Sequence, residues 1–466
     1  MTASAAVPPF ATVAGLSRAI AGGLSPIAVM DHYLDRIRRL DGKLHAFVRV
    51  YEDEARMAAE GADRAIRSRH ALGPLHGVPI ALKDLVDMEG RITTGGSAVW
   101  RDRVSPVTAT LATRLIRAGM IVIGKTHTVE FAMGAWGTNE HMGTPWNPWD
   151  LQVPRTPGGS SAGSGVAVAA GLAPAAIGTD TGGSVRVPAA WCGIVGLKTT
   201  IGRISTHGVL PLSHTLDTPG PIVGTVEDAA LLFEVLHGPD PKDPQTLPHP
   251  RTDVLSGLRR GVKGLRLARL PAAERDGIDA VVLAAYDESL ETLAGLGAEI
   301  VDIRLPAPLS AGAEATGRII GAEGYRHVGH LTDDMTLPVD PAVRPRIGLG
   351  RDISARDYML TLAQMERDAA AFDAALADVD ALLAPTTLTP PIPVASVDQG
   401  KTAAVLTRPF NYLKRCALSL PNGFTADGLP LSLQIVCRPY DEATALRIGW
   451  AYEQATPWHD RHPEGL

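Results

Sequence analysis

Residues 157–188 read PGGSSAGSGVAVAAGLAPAAIGTDTGGSVRVP, two serine-bearing glycine turns joined by a run of small residues. Glycine clusters let backbone N–H groups converge on one point, because no Cβ blocks the approach or the φ > 0 conformations. Two such turns, each presenting a serine, supply the parts of an acyl-transfer site: a nucleophile, a proton relay and an oxyanion hole. The run between them, VAVAAGLA (166–173), predicts a helix of residues small enough for close packing. Upstream, GVPIALKDLVD ends a short apolar run on Lys83.

The remaining chain alternates between helical and strand-like patterns. Residues 11–40 read as helical, with Ser25-Pro26 as a cap followed by Ile27, Met30, Leu34 and Ile37 at helical spacing. Helices are also predicted over 51–69, 108–118, 277–296, 355–377 and from LPLSLQIV to about Ala455. Strands are predicted at GVPIAL (77–82), MIVIG (120–124), GIVGLK (193–198), GLRLARL, EIVDIRL, VDALLAP (379–385) and LPLSLQIV (429–436). This order gives an α/β fold with a largely buried sheet. GPDPKDPQTLPHP (238–250) is the one linker-like stretch, and it reads equally well as a surface loop, so one large domain is expected.

Composition removes several function classes. The 466 residues are 45% hydrophobic and 20% charged with a net charge of −6, so no basic excess points to nucleic acid. Three cysteines, Cys192, Cys416 and Cys437, form no CxxC pair and read as reduced thiols of a cytoplasmic protein. MTASAAVPPF lacks the basic start of a signal peptide, and the Ala/Gly/Val run from Gly165 to Gly178 is too short to span a bilayer. His127, Glu130 and His141 form no HExxH motif, and His327 and His330 read as surface or satisfied core residues. No metal or other cofactor is expected.

Serine needs a base, and a lysine serves only when neutral, which burial favours. Lys83, at the end of an apolar strand, fits that demand, although any lysine taken singly reads as a solvated surface residue. Gly159-Ser160-Ser161-Ala162-Gly163 also matches G-x-S-x-G, but QVPRTP before it is not the strand a nucleophile elbow requires. A P-loop reading fails because no Lys-Ser/Thr follows Gly165.

Taken together, these stretches resemble the amidase signature family. GGSSAGSG and GTDTGGSVRVPAAWCGIVGLKTT resemble its defining block, GVPIALKDLVD its lysine motif, and FAMG, Thr138-Asn139 and WNPWD its lead-in segment. The downstream HGVLPLSHTLDTPGPIVGTVEDAALLFEVLHGPDPKD and the terminal GLPLSLQIVCRPYDEATALRIGWAYEQA fit as well, with residues 245–340 the weakest stretch. The resemblance implies a single α/β/α domain with a central mixed, twisted sheet: N-terminal helices over 1–70, a catalytic core over 71–240, a variable substrate-shaping region over 241–400 and a C-terminal part over 401–466. It also implies a Ser–cisSer–Lys triad, with Ser184 as nucleophile, Ser160 as bridge after a cis peptide bond, and Lys83 as base. The implied oxyanion hole comprises the N–H groups of Thr181, Gly182, Gly183 and Ser184. Ser161, Asp180 and Arg186 take supporting positions, the last two ordering the loop. Met133, Gly134, Trp136, Arg346, Leu413 and Arg415 are candidate pocket residues.

Three departures from the family pattern bear on the site. Ala162 replaces a glycine, Lys198–Thr200 reads KTT for KPT, and NYLKRCALSLPNG (411–423) carries Leu413, Lys414, Arg415 and Cys416 where small residues are usual. Two functions of different class follow. One is a stand-alone hydrolase of amides, anilides, esters or carbamates, a monomer or homodimer with a small-molecule substrate and neither nucleic acid nor membrane as partner. The other is the glutaminase-type subunit of a tRNA-dependent amidotransferase, whose pocket should hold an arginine and an acid for the charged α-groups of glutamine. Arg344, Arg346 and Arg351 lie in the variable region where such an arginine is expected. Pro345, which interrupts that segment, and the unusual 411–423 stretch favour the hydrolase, sparse charge near the motifs favours an uncharged substrate, and intact Lys83, Ser160 and Ser184 argue against a non-catalytic binding paralogue.

Overall fold

The apolar run that ends on Lys83 lies inside one mixed sheet, flanked by two parallel neighbours. In the computed structural model, which describes residues 7–466, eleven strands make up this sheet. They are β1 (Phe47–Val50), β2 (Pro79–Lys83), β3 (Ile121–Thr126), β4 (Ala175–Asp180), β5 (Val195–Lys198) and β6 (Thr218–Val223). The second half adds β7 (Arg266–Arg269), β8 (Glu299–Val301), β9 (Ala381–Pro385), β10 (Cys416–Phe424) and β11 (Pro430–Cys437). Their order is β1-β3-β2-β4-β6-β5-β10-β11-β9-β7-β8. β2 runs parallel to β3 and β4, and β7 parallel to β8 and β9, while every other pairing is antiparallel. The fold is α/β with helices packed around this sheet, as expected.

Every residue of β2, β4, β5, β6, β9 and β11 is buried, so these strands read as apolar or small-residue runs without alternation. The N-terminal helical stretch divides into Val13–Ala21 and Pro26–Leu44, broken at Gly23 (φ +106°) and restarted by Ser25, whose Oγ accepts from the Ile27 N–H at 3.2 Å. The Ala-rich helix covers Ala162–Ala169, one turn earlier than the sequence predicts, and β4 takes the residues that follow. Among the described residues no helix is long and apolar enough to cross a membrane. The first six residues, on which part of the leader-peptide reading falls, lie outside the described residues.

Close packing at the start of the Ala-rich helix decides one glycine. A Cβ on Gly163 would lie 2.2 Å from the Ala46 carbonyl oxygen and 2.4 Å from the His127 nitrogen, both backbone atoms that cannot swing aside. Gly61, inside the helix Glu52–Arg67, meets nothing within 4 Å. Gly163→Ala should therefore destabilise the chain by roughly 1–3 kcal/mol through overpacking. Gly61→Ala should stabilise it by roughly 0.5–1 kcal/mol. Denaturant titration of both variants checks this, and a Gly163→Ala protein as stable as the parent would contradict the packing account.

Candidate active site

Parallel pairing of β2 with β4 brings the carboxyl ends of both strands to one edge of the sheet, where open α/β sheets commonly place ligands. Lys83 ends β2, and Thr179 and Asp180 end β4. The first glycine turn enters the helix Ala162–Ala169 across this edge, and the second leaves β4 for the short helix Arg186–Trp191. Lys83 Nζ lies 2.8 Å from Ser160 Oγ and 2.8 Å from Thr179 Oγ1. The Gly159–Ser160 peptide bond is cis. Ser161 Oγ donates to the Thr179 carbonyl and accepts the Thr179 N–H, both at 3.3 Å, and its own N–H reaches the Ser184 carbonyl at 3.4 Å. Ser161 thus ties the two turns together. Ala162 has no positive φ, which is why a side chain is accepted where the family pattern has glycine.

Lys83 is wholly buried, and its two polar contacts are neutral hydroxyls. Burial pushes its ammonium down to about 7, against the weaker pull of Asp217 and Asp180 in the other direction. A large share of Lys83 is therefore neutral near pH 7 and able to take a proton. No hydrogen bond joins Ser160 Oγ to Ser184 Oγ among the described residues, so the wire runs from Lys83 to Ser160 and stops short of the second serine. Such contacts commonly tighten only when substrate is bound.

The second turn is built around a buried ion pair. Arg186 donates to both Asp180 oxygens, from Nη2 at 2.9 Å and from Nε at 3.0 Å, and also to Asn411 Oδ1, Gln434 Oε1 and the Thr407 carbonyl. Burial alone would raise the Asp180 carboxyl, but the Arg186 guanidinium overrides it and holds the group well below the usual carboxylate range. Asp180 in turn accepts the N–H groups of Gly183 (2.8 Å) and Val185 (3.2 Å). This corrects one expectation. The Gly183 N–H is committed to Asp180 and is not available to an oxyanion, whereas those of Thr181, Gly182 and Ser184 have no protein acceptor among the described residues. Gly183 is needed for its backbone instead: its φ is +134°, and a Cβ would lie 2.1 Å from Thr407 Oγ1. That hydroxyl donates to the Gly182 carbonyl at 2.7 Å and fixes the peptide that carries the Gly183 N–H.

A cleft opens on Ser184 and is lined by Thr181, Gly182, Met133, Gly134, Ala404, Leu212, Ile320, Arg346 and Arg408. Of the six candidate pocket residues, Met133, Gly134 and Arg346 line this cleft. Trp136, Leu413 and Arg415 do not line this cleft. Trp136 stacks on Trp191 with ring centroids 5.7 Å apart and donates to the Lys401 carbonyl, so it braces the rim from behind. Leu413 is buried against a separate depression, under Pro308, Phe372 and Tyr412. Arg415 turns away to Asp373 (2.6 Å) and lies over the Phe372 ring. The reversal at Lys414 (φ +58°) sends these side chains toward the helix Ala355–Ala375. Among the cleft residues that sequence reading missed is Arg408, three positions before the stretch flagged as unusual. A cation beside a proline in LTRPFNY was the available signal.

Residues 28–446 match the family described as Amidase. The chain is 38% identical to the A subunit of the glutamyl-tRNA(Gln) amidotransferase of Geobacter metallireducens, over 94% of this chain and 95% of that protein. Among solved structures it resembles the same subunit from Thermotoga maritima, with TM-score 0.81 and 30% identity over 96% of this chain and 95% of that one. It also resembles a chain from a vestigial protein complex tied to the origins of an s-triazine catabolic enzyme, with TM-score 0.89 and 31% identity over 95% and 98% of the two chains. These relatives correct the expectation of a small-molecule partner alone without nucleic acid, because the name shared by the curated relatives is that of one subunit of an enzyme acting on a charged tRNA. They also favour the amidotransferase subunit over the stand-alone hydrolase. With the family matched over nearly its whole length and neighbours of the same fold, this chain belongs to the amidase signature family.

Proposed function

We propose that this chain is the amide-hydrolysing, ammonia-releasing component of an amidotransferase-type system, with Ser184 as nucleophile. The observation that carries the chemistry is the buried setting of Lys83 against Ser160, with no carboxylate hydrogen-bonded to its amine. Ser184 Oγ attacks the carboxamide carbon while its proton passes through Ser160 to neutral Lys83. The developing oxyanion takes the free N–H groups of Thr181, Gly182 and Ser184, donors worth about 2.7–4 kcal/mol each in comparable sites. Collapse expels the amine, which receives the proton back along the same relay. Water then cleaves the acyl-enzyme with Lys83 again as base. Identity to the amidotransferase A subunits across nearly both whole chains supports the partner-dependent reading. One observation favours the independent hydrolase as a second reading: the cleft holds Arg346 but none of the acids that the α-ammonium of glutamine calls for.

Two outcomes are expected. A fluorophosphonate should label Ser184, and Ser184→Ala should lose both labelling and turnover. The purified chain should release ammonia from primary amides at least about tenfold faster than it releases aniline from anilides. The opposite order would support the independent hydrolase and overturn the first reading.

The pH dependence has a defined sign. The active base is neutral Lys83, so kcat/KM should rise with pH up to a midpoint near 7 and fall about tenfold per unit below it. A rate that stays flat down to pH 5 would mean that another group accepts the proton.

A further inference from the structure

Cations and anions in folded proteins are normally paired, and an unpaired guanidinium at a cleft wall calls for an anionic ligand. Arg408 is such a group. Its side chain lies along the oxyanion turn: a Cβ on Gly182 would be 3.2 Å from Arg408 Cγ and 3.6 Å from its Nε. It makes no side-chain hydrogen bond or ion pair among the described residues. Arg346, the second guanidinium of the cleft, is held by the neutral Met133 carbonyl and by the carbonyl and side-chain oxygens of Gln399. Burial and the like charge of Arg346 push Arg408 down to about 10, and no carboxylate offsets them. No Asp or Glu lines the cleft. The nearby Asp217 is already occupied, by the Thr181 hydroxyl on one oxygen and by the N–H groups of Leu212 and Ser213 on the other.

We propose that Arg408, with Arg346 beside it, grips a carboxylate carried on the acyl side of the substrate, so that the site takes the mono-amide of a dicarboxylic acid and gives no recognition to an α-ammonium. Planar guanidiniums suit a carboxylate because they offer paired N–H donors in its own geometry. Two such cations with no acid between them leave an ammonium group without a partner and under repulsion. The inference rests on acylation at Ser184.

The test uses the full-length chain and the rate at which a fluorophosphonate labels Ser184, slowed by competing glutaramate, glutamine or pentanamide. Glutaramate should protect at least as well as glutamine, and pentanamide, which lacks the carboxylate, should protect roughly 10–100-fold less well. In Arg408→Leu the advantage of glutaramate over pentanamide should shrink by a similar factor, with part of it restored in Arg408→Lys. The Lys variant also serves if the Leu variant fails to fold. Equal protection by glutaramate and pentanamide, or an unchanged ratio in both variants, would overturn the carboxylate clamp. Protection by glutamine more than about tenfold better than by glutaramate would overturn the stated substrate class. Absence of labelling at Ser184 in the parent chain marks failure of the acyl-enzyme reading itself.

Discussion

An amine buried without a carboxylate to pair with is the constraint on which this site depends. A charged ammonium moved out of water costs several kcal/mol even after the surroundings relax, so an unpaired lysine in such a place gives up its proton instead. Lys83 meets that condition because β2 is a central strand with parallel neighbours on both sides, which leaves its last residue no route to solvent. Lys125, on the adjacent β3, shows the contrast. It is equally buried, and burial pushes its ammonium down too, but Asp84 at 3.1 Å forms an ion pair with it and pulls the other way.

The second glycine turn is organised by charge of the opposite kind. Asp180 ends β4 and is spanned by Arg186 from the next helix, and their contacts leave the carboxylate to collect the Gly183 and Val185 N–H groups. Removing either member of such a buried pair typically costs about 3–5 kcal/mol, because the survivor remains uncompensated. The pair therefore holds the turn in the shape that leaves three N–H groups beside Ser184. Thr407 and Asn411, next to Arg408 in the chain, complete this support. The same short segment thus shores up the second glycine turn and places a cation over the cleft.

Much of this was legible from local pattern. The Ser25-Pro26 cap, the strand ending at Lys83 and the helix from Ala355 fell close to their predicted places because each carries its own signal. β6 did not, since TPGPIV reads as a chain breaker. It is tolerated because β5 meets it only at Ile222 and Val223, beyond both prolines. The helix Leu309–Asp333 was hidden by five glycines, poor helix formers whose bare backbones allow close contacts such as Ile347 at Gly324. β10 was obscured by Pro421 and Gly423, where its register shifts. At the site, the order of motifs pointed to Lys83, Ser160 and Ser184. The commitment of the Gly183 N–H and the direction of Arg415 depend on tertiary contacts that no spacing reveals.

The state of Lys83 is the claim on which the chemistry turns, and NMR measures it directly. A pH titration of side-chain-labelled lysine in the intact chain, with the Lys83 signal assigned by its loss in Lys83→Arg, reads the protonation of that one amine. The account predicts a midpoint near 7. A midpoint near the unperturbed lysine value of about 10.4 would show a charged ammonium at neutral pH and contradict its role as the base.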